Sequence, residues 1–286
     1  MHEAQNGEMS ESSLAEDRSI EIVLDVVDAI NYACWQNSIP FLRSLKIRNN
    51  TERSLSDLRL ELESNPPVAR PKVWAIDRLR PGDELSVADK AVDLDPDYLV
   101  NLDEAERSRI TVRLKAGDEV VAELETETRL LARDEWGGFG SMASLLAAFV
   151  MPNDPAIARI LKDAAKVLGE HGHPAALDGY QTEDPRRAYM LVASIWSAVA
   201  ARRLTYAEPP RSFERTGQKV RRPSTVLDQG LATCLDTTLL FASAIEAVGL
   251  NPVIAVVDGH TFAGVWLVKK TFPNLIESDP GELRKA

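Results

Sequence analysis

Cysteine is scarce: Cys34 and Cys234 are the only two in 286 residues. Two thiols cannot build a disulfide framework, and they are too few for a zinc site unless His or carboxylates complete it. Positive charge is short as well. Lys and Arg number 33 against 44 Asp and Glu, a formal net charge of −11. A general nucleic-acid binder needs a positive footprint, so direct nucleic-acid binding is not expected. No apolar run approaches the roughly 18–20 residues of a membrane span. The polar, acidic start (MHEAQNGEMSESSLAEDRS) lacks the basic and apolar regions of a signal peptide. There is no phosphate-cradling Gly loop, no HExxH and no CxxC. Nothing therefore supports a metalloenzyme or a nucleotide-binding protein. The expectation is a cytoplasmic chain with no cofactor and no metal.

What is present changes character along the chain. Residues 1–18 read as a disordered tail. Residues 19–130 read as β. Ser19–Asp28, Phe41–Arg48, Leu58–Leu62, Val73–Ile76, Glu84–Val87 and Ala91–Leu94 are short apolar or alternating runs, with turns at Asn49-Asn50 and Pro81-Gly82-Asp83. Arg109–Leu114 and Glu119–Leu124 flank Ala116-Gly117-Asp118 as a hairpin. So many short strands predict an antiparallel β-sandwich of immunoglobulin-like shape. Cys34, beside Trp35, reads as core packing.

After Trp136-Gly137-Gly138 the spacing becomes helical, and residues 131–286 read as a separate α+β domain. Met142–Phe149 is a helix-like run. Asp154-Pro155 and Asp184-Pro185 each place a capping Asp before Pro at the first helical position. They open helices predicted over Ala156–Leu168 and Arg186–Arg202. A loop is expected over Tyr206–Pro223. Cys234–Val248 reads as a helix that Gly249 ends, Pro252–Val257 as a buried strand, and Thr261–Val268 as the next strand after a turn at Gly259.

Cys234 opens its helix. The free N–H groups of a first helical turn and the helix dipole favour an anion there, which suits a reactive thiolate and an oxyanion beside it. The competing reading is a buried Cys on a packing face. His260 bears on the choice, because it follows the Asp258-Gly259 turn and leads into a strand. The order Cys-helix, strand, turn-His-strand lets an imidazole reach the thiol from a neighbouring sheet. Of four His residues, His2 is in the tail, and His171 and His173 flank a Gly in EHGHP. Gln218 and Gln229 lie upstream of Cys234 as candidate oxyanion donors or as exposed loop residues. Asp236 reads as compensating the helix dipole. Lys219, Arg221 and Arg222 form the only dense basic patch, either solvated or facing a substrate.

Three stretches carry a resemblance: Ala232-Thr233-Cys234-Leu235-Asp236, Ala247-Val248-Gly249-Leu250-Asn251-Pro252 and Gly259-His260-Thr261-Phe262. The chain here resembles the core of the transglutaminase-like superfamily, within the papain-type fold, over roughly residues 190–270. The resemblance implies Cys234 as nucleophile and His260 as base. Ala232 stands where family members commonly carry Gly, and Phe262 fills the aromatic place after the His. The family also implies an acid on the strand after the His strand, to orient the imidazole. Asp279 is the local candidate for this third member. Its surroundings (PNLIESDPGELRKA) read as a loop, so Asp279 is expected beyond reach of His260, with an open sheet edge and a domain truncated at its carboxyl end. The segments EWGG, PNDP, LDGYQ and PPRSFERTGQKVRRP are similar to the amino-terminal region of large bacterial proteins that continue into a superfamily 1 helicase and a nuclease.

Two functions follow. One is a cysteine peptidase or amidase, or else an acyl-transferring cross-linker, acting on a peptide or protein through Cys234 and His260. The other is an inactive module that binds a peptide or partner and regulates attached helicase and nuclease domains.

Overall fold

The computed structural model describes residues 19–285. The expected tail over residues 1–18 lies outside the described residues. The chain is a mixed α+β protein that divides into two compact units. The first comprises residues 19–27, 40–95 and 108–127; the second comprises residues 28–39, 96–107 and 128–285.

In the first unit, β1 (Ile20–Val26), β2 (Leu42–Asn49) and β5 (Glu84–Ser86) form one antiparallel sheet, ordered β1-β2-β5. A second sheet holds β3 (Leu55–Asn65), β4 (Lys72–Leu79), β6 (Glu106–Ala116) and β7 (Glu119–Leu130), ordered β7-β6-β3-β4. Period-two alternation sets the register. Leu60 faces Leu114 and Leu62 faces Val112 across β3 and β6, and all four are buried. A one-residue slip would turn this whole apolar set outward. The run Ala91–Leu94 does not become a strand. Only an isolated bridge between Leu94 and Ala69 forms, in a stretch where Lys90, Asp93 and Asp95 crowd the apolar residues.

The second unit carries the helices. Asp154 accepts the Ala156 N–H at 2.9 Å and opens α1 (Pro155–Glu170). Asp184 does the same for Arg186, at 2.9 Å, and opens α2 (Pro185–Ala200). Such caps are each worth about 1 kcal/mol. The Met142–Phe149 run is a 3-10 helix over Ala143–Phe149 instead of an α-helix. The expected loop over Tyr206–Pro223 contains a helical turn, Phe213–Thr216, and a two-residue ladder pairing Gln218-Lys219 with Glu135-Trp136.

α3 (Cys234–Ala247) is the hub, with ten of its 14 residues buried. Leu240, Ala244 and Ile245 join Ile157 and Ile160 of α1, and Leu191 and Ile195 of α2, in one core cluster. A helix enclosed on nearly all sides shows no amphipathic stripe, which is why its apolar run has no clear polar face. Gly249, in the left-handed region at φ +79°, ends this segment. The chain then forms a two-stranded hairpin of β8 (Pro252–Val257) and β9 (His260–Val265). β8 is half-buried, not buried as its composition suggests. Tyr180 fastens the open end of the hairpin: its hydroxyl donates to the Trp266 carbonyl at 2.5 Å and accepts the Asn251 N–H at 3.1 Å.

Gly217 brings Gln218 into place. It adopts φ +85°, and a methyl group there would overlap the Trp136 carbonyl oxygen. Gly217→Ala is expected to destabilise the second unit by more than about 2 kcal/mol, from backbone strain and the clash together. Thermal melting followed by circular dichroism checks this.

Among the described residues, no helix is long and apolar enough to cross a membrane.

Candidate active site at the start of a buried helix

Cys234 is the first residue of α3, and Thr233 caps it. The Thr233 hydroxyl accepts the Asp236 N–H at 3.2 Å, and the Asp236 carboxylate accepts the Thr233 N–H at 2.9 Å. This reciprocal capping box satisfies two donors and holds the first turn rigid. Asp236 does more than offset the dipole. Its fully buried carboxylate also accepts the Arg221 backbone N–H at 2.7 Å and the Arg221 guanidinium at 2.9 Å. The basic patch is therefore largely committed to structure. Arg221 serves Asp236, and Lys219 donates to the Asp103 carbonyl at 2.7 Å and to Glu104 at 2.5 Å. Arg222 is exposed.

Cys234 is buried but lines a cavity of about 430 Å³, and His260 lines the same cavity. The imidazole reaches it because the two-residue turn Asp258-Gly259, with Gly259 at φ +69°, folds β9 back along β8. A buried bond between the Thr238 and Thr261 hydroxyls, 2.9 Å apart, ties the second turn of α3 to the residue after His260. His260 itself is exposed, and among the described residues its ring takes part in no hydrogen bond or ion pair.

Tyr206 is a site residue that sequence reasoning missed. A short parallel ladder sets Thr205-Tyr206 beside Leu231-Ala232, which delivers the phenol to the cavity next to Cys234. Desolvation first, and then the neighbouring Cys234, push the Tyr206 pKa above its ordinary value. The phenol thus stays protonated as a donor at neutral pH. Two-residue ladders leave no periodic signal, so nothing in the sequence marked it.

Gln218 is buried against the cap, where its Nε2 donates to the Thr233 hydroxyl at 2.9 Å and its Oε1 has no partner. The Thr233 oxygen already accepts from Asp236, so its proton needs an acceptor. Turning the Gln218 amide over supplies one and exposes Nε2 as an unpartnered donor; which way it lies is set by the network. Gln229 is exposed at the end of the helix Pro223–Gln229. Asp279 lies in the stretch after β9, where its carboxylate accepts the Gly281 N–H at 2.7 Å ahead of a short helix, Gly281–Lys285. None of Gln218, Gln229 and Asp279 is among the described residues that line the cavity.

Cys34 lies elsewhere in the second unit. It is buried in the helix Tyr32–Gln36, and desolvation pushes its thiol up, against the lowering effect of hydrogen bonding at Asn31. His171 is exposed, its Nδ1 2.8 Å from the Val167 carbonyl. Among the described residues no His, Cys, Asp or Glu cluster is arranged to hold a metal. No family model matches the chain, and no curated protein matches it.

Proposed function

We propose that the second unit is a transglutaminase-like, papain-type domain acting as a cysteine peptidase or amidase, with an immunoglobulin-like sandwich before it. The observation that carries the reading is the sharing of one cavity by Cys234, at the N-terminus of a buried helix, and His260. His260 takes the thiol proton, the thiolate attacks an amide carbonyl, and the imidazolium returns the proton to the departing amine. Water then resolves the thioester. The first-turn N–H groups of α3 are suited to hold the oxyanion.

A test is iodoacetamide at pH 7 on the folded protein, with the two thiols followed by peptide mass mapping. Cys234 should react at least tenfold faster than Cys34, whose thiol is both enclosed and pushed up. His260→Ala should narrow the gap. Equal, slow labelling of both cysteines would sink the proposal.

The second reading is a partner-binding module that regulates helicase and nuclease domains. The solitary His260 ring favours it, since a hydrolytic imidazole needs an orienting acid or amide and Asp279 is occupied at Gly281. Fast labelling of Cys234 with no turnover of any peptide amide would favour this module.

A further inference from the structure

Among the described residues that line the cavity at the start of α3, three carry titratable side chains: Cys234, His260 and Tyr206. In the proposed hydrolysis the thiol and the imidazole exchange a proton, and the phenol has no part. Yet Tyr206 is the one with the Cys234 thiol as a hydrogen-bonding neighbour. Among the described residues the His260 ring has no such bond.

The backbone holds the phenol in place. Thr205 N–H donates to the Gly230 carbonyl and Ala207 N–H to the Ala232 carbonyl, both at 2.8 Å. Tyr206 is thus tied on either side to the segment that runs into the Thr233 cap, in register with Ala232, two residues before Cys234. Its ring is 55% exposed and stands outside the core cluster, so it is not there to fill the interior.

The groups around the pair decide which atom carries the hydrogen. Desolvation first, then Cys234, then the charge of Glu208 push the Tyr206 pKa up. Asp236, the other acid of the first turn, is committed to the Thr233 N–H and to Arg221. The phenol therefore keeps its proton when the thiol gives one up. A hydrogen bond with an ionised acceptor is about twice as strong as a neutral one.

We infer that Tyr206 is a catalytic residue whose phenol O–H donates to the Cys234 sulfur and holds the anion left when His260 takes the thiol proton. That proton passes from Sγ to the imidazole, and the phenol keeps its own. The inference rests on the proposed hydrolase only in taking Cys234 as the group that reacts; the bond itself needs no substrate.

The test labels full-length native chain and Tyr206→Phe with iodoacetamide at pH 7 and at about pH 9.5. Losing a hydrogen bond to the anion leaves less thiolate, but each remaining thiolate is more nucleophilic. At pH 7 the variant should therefore react roughly threefold to tenfold more slowly, and at about pH 9.5 at least as fast as the native chain. Slower labelling at both pH values marks a change of access, and faster labelling at pH 7 marks a phenol that shields the thiol. Either overturns the inference, as does unchanged labelling at pH 7. A second measurement needs no variant. Capping Cys234 of the native chain with methyl methanethiosulfonate removes the anion, so one of the five tyrosines should ionise at lower pH, read by ultraviolet absorbance. A tyrosine titration that does not move also overturns it. Both arms as expected, with no peptide amide cleaved by the native chain, leave the inference standing and remove the hydrolase. Cleavage by the native chain with unchanged pH 7 labelling of Tyr206→Phe does the reverse.

Discussion

Cys234→Ala and His260→Ala are each expected to lower peptide-amide hydrolysis by about a thousandfold or more, and the double variant by no more than the larger single loss. Nucleophile and base act as a unit, so removing either disables the step that both perform. The argument needs the variants to stay folded, and the surroundings allow it. The capping box joins Thr233 and Asp236 and uses no atom of the Cys234 side chain. The His260 ring makes no bond that the hairpin depends on. Melting temperatures should therefore hold while turnover falls. Asp279→Ala is the contrast. Its carboxylate holds the Gly281 N–H and not the imidazole, so hydrolysis should change less than about threefold. A loss near 10⁴-fold, the size seen when a triad loses its orienting acid, would show that Asp279 reaches His260 during the reaction. The measurement is kcat/KM on an end-blocked peptide amide, with melting curves alongside.

The residues in the sequence that define elements do so through local chemistry. Asp154-Pro155 and Asp184-Pro185 predict two helix starts because an Asx cap followed by Pro at the first position has one dominant use, and both helices begin at the Pro. Period-two runs predict β2, β3, β6 and β7 because one face of each sheet is buried. The misses share a cause. Tyr32–Gln36 and Pro96–Val100 are five-residue helices, and the ladder at Thr205-Tyr206 is two residues long. Elements that short have no period to detect and exist only because tertiary contacts hold them. The same limit applies at the site. A helix-start Cys and a turn His can be read from sequence. The Tyr206 phenol, the Thr238–Thr261 tie and the buried Gln218 amide arise from segments meeting in space. The division into units shows it again: residues 28–39 and 96–107 group with the second unit, an association that depends on long-range contacts and leaves no local mark.

Asp236→Ala is expected to destabilise the second unit by about 3 kcal/mol, lowering its melting temperature by roughly 10 °C at about 2–4 °C per kcal/mol. The carboxylate is fully buried and accepts three separate donors: the Thr233 N–H, the Arg221 N–H and the Arg221 guanidinium. Alanine leaves two backbone N–H groups without a partner, at about 1–3 kcal/mol each when water cannot reach them. It also strands a cation. Arg221→Ala should cost less, because that side chain is about one-third exposed (32%) and the carboxylate keeps its two backbone donors. The double variant should fall short of the summed single losses, since the guanidinium has nothing left to lose once Asp236 is gone. Asp236→Asn separates charge from shape: one amide oxygen still accepts, but the NH₂ group now faces a donor, so a loss close to that of alanine is expected. If Asp236→Ala costs under about 1 kcal/mol, the cap is hydrated and the first turn of α3 is looser than the bonds imply. The rigid N–H cluster beside Cys234 would then be lost as well. Urea unfolding curves of the four variants decide it.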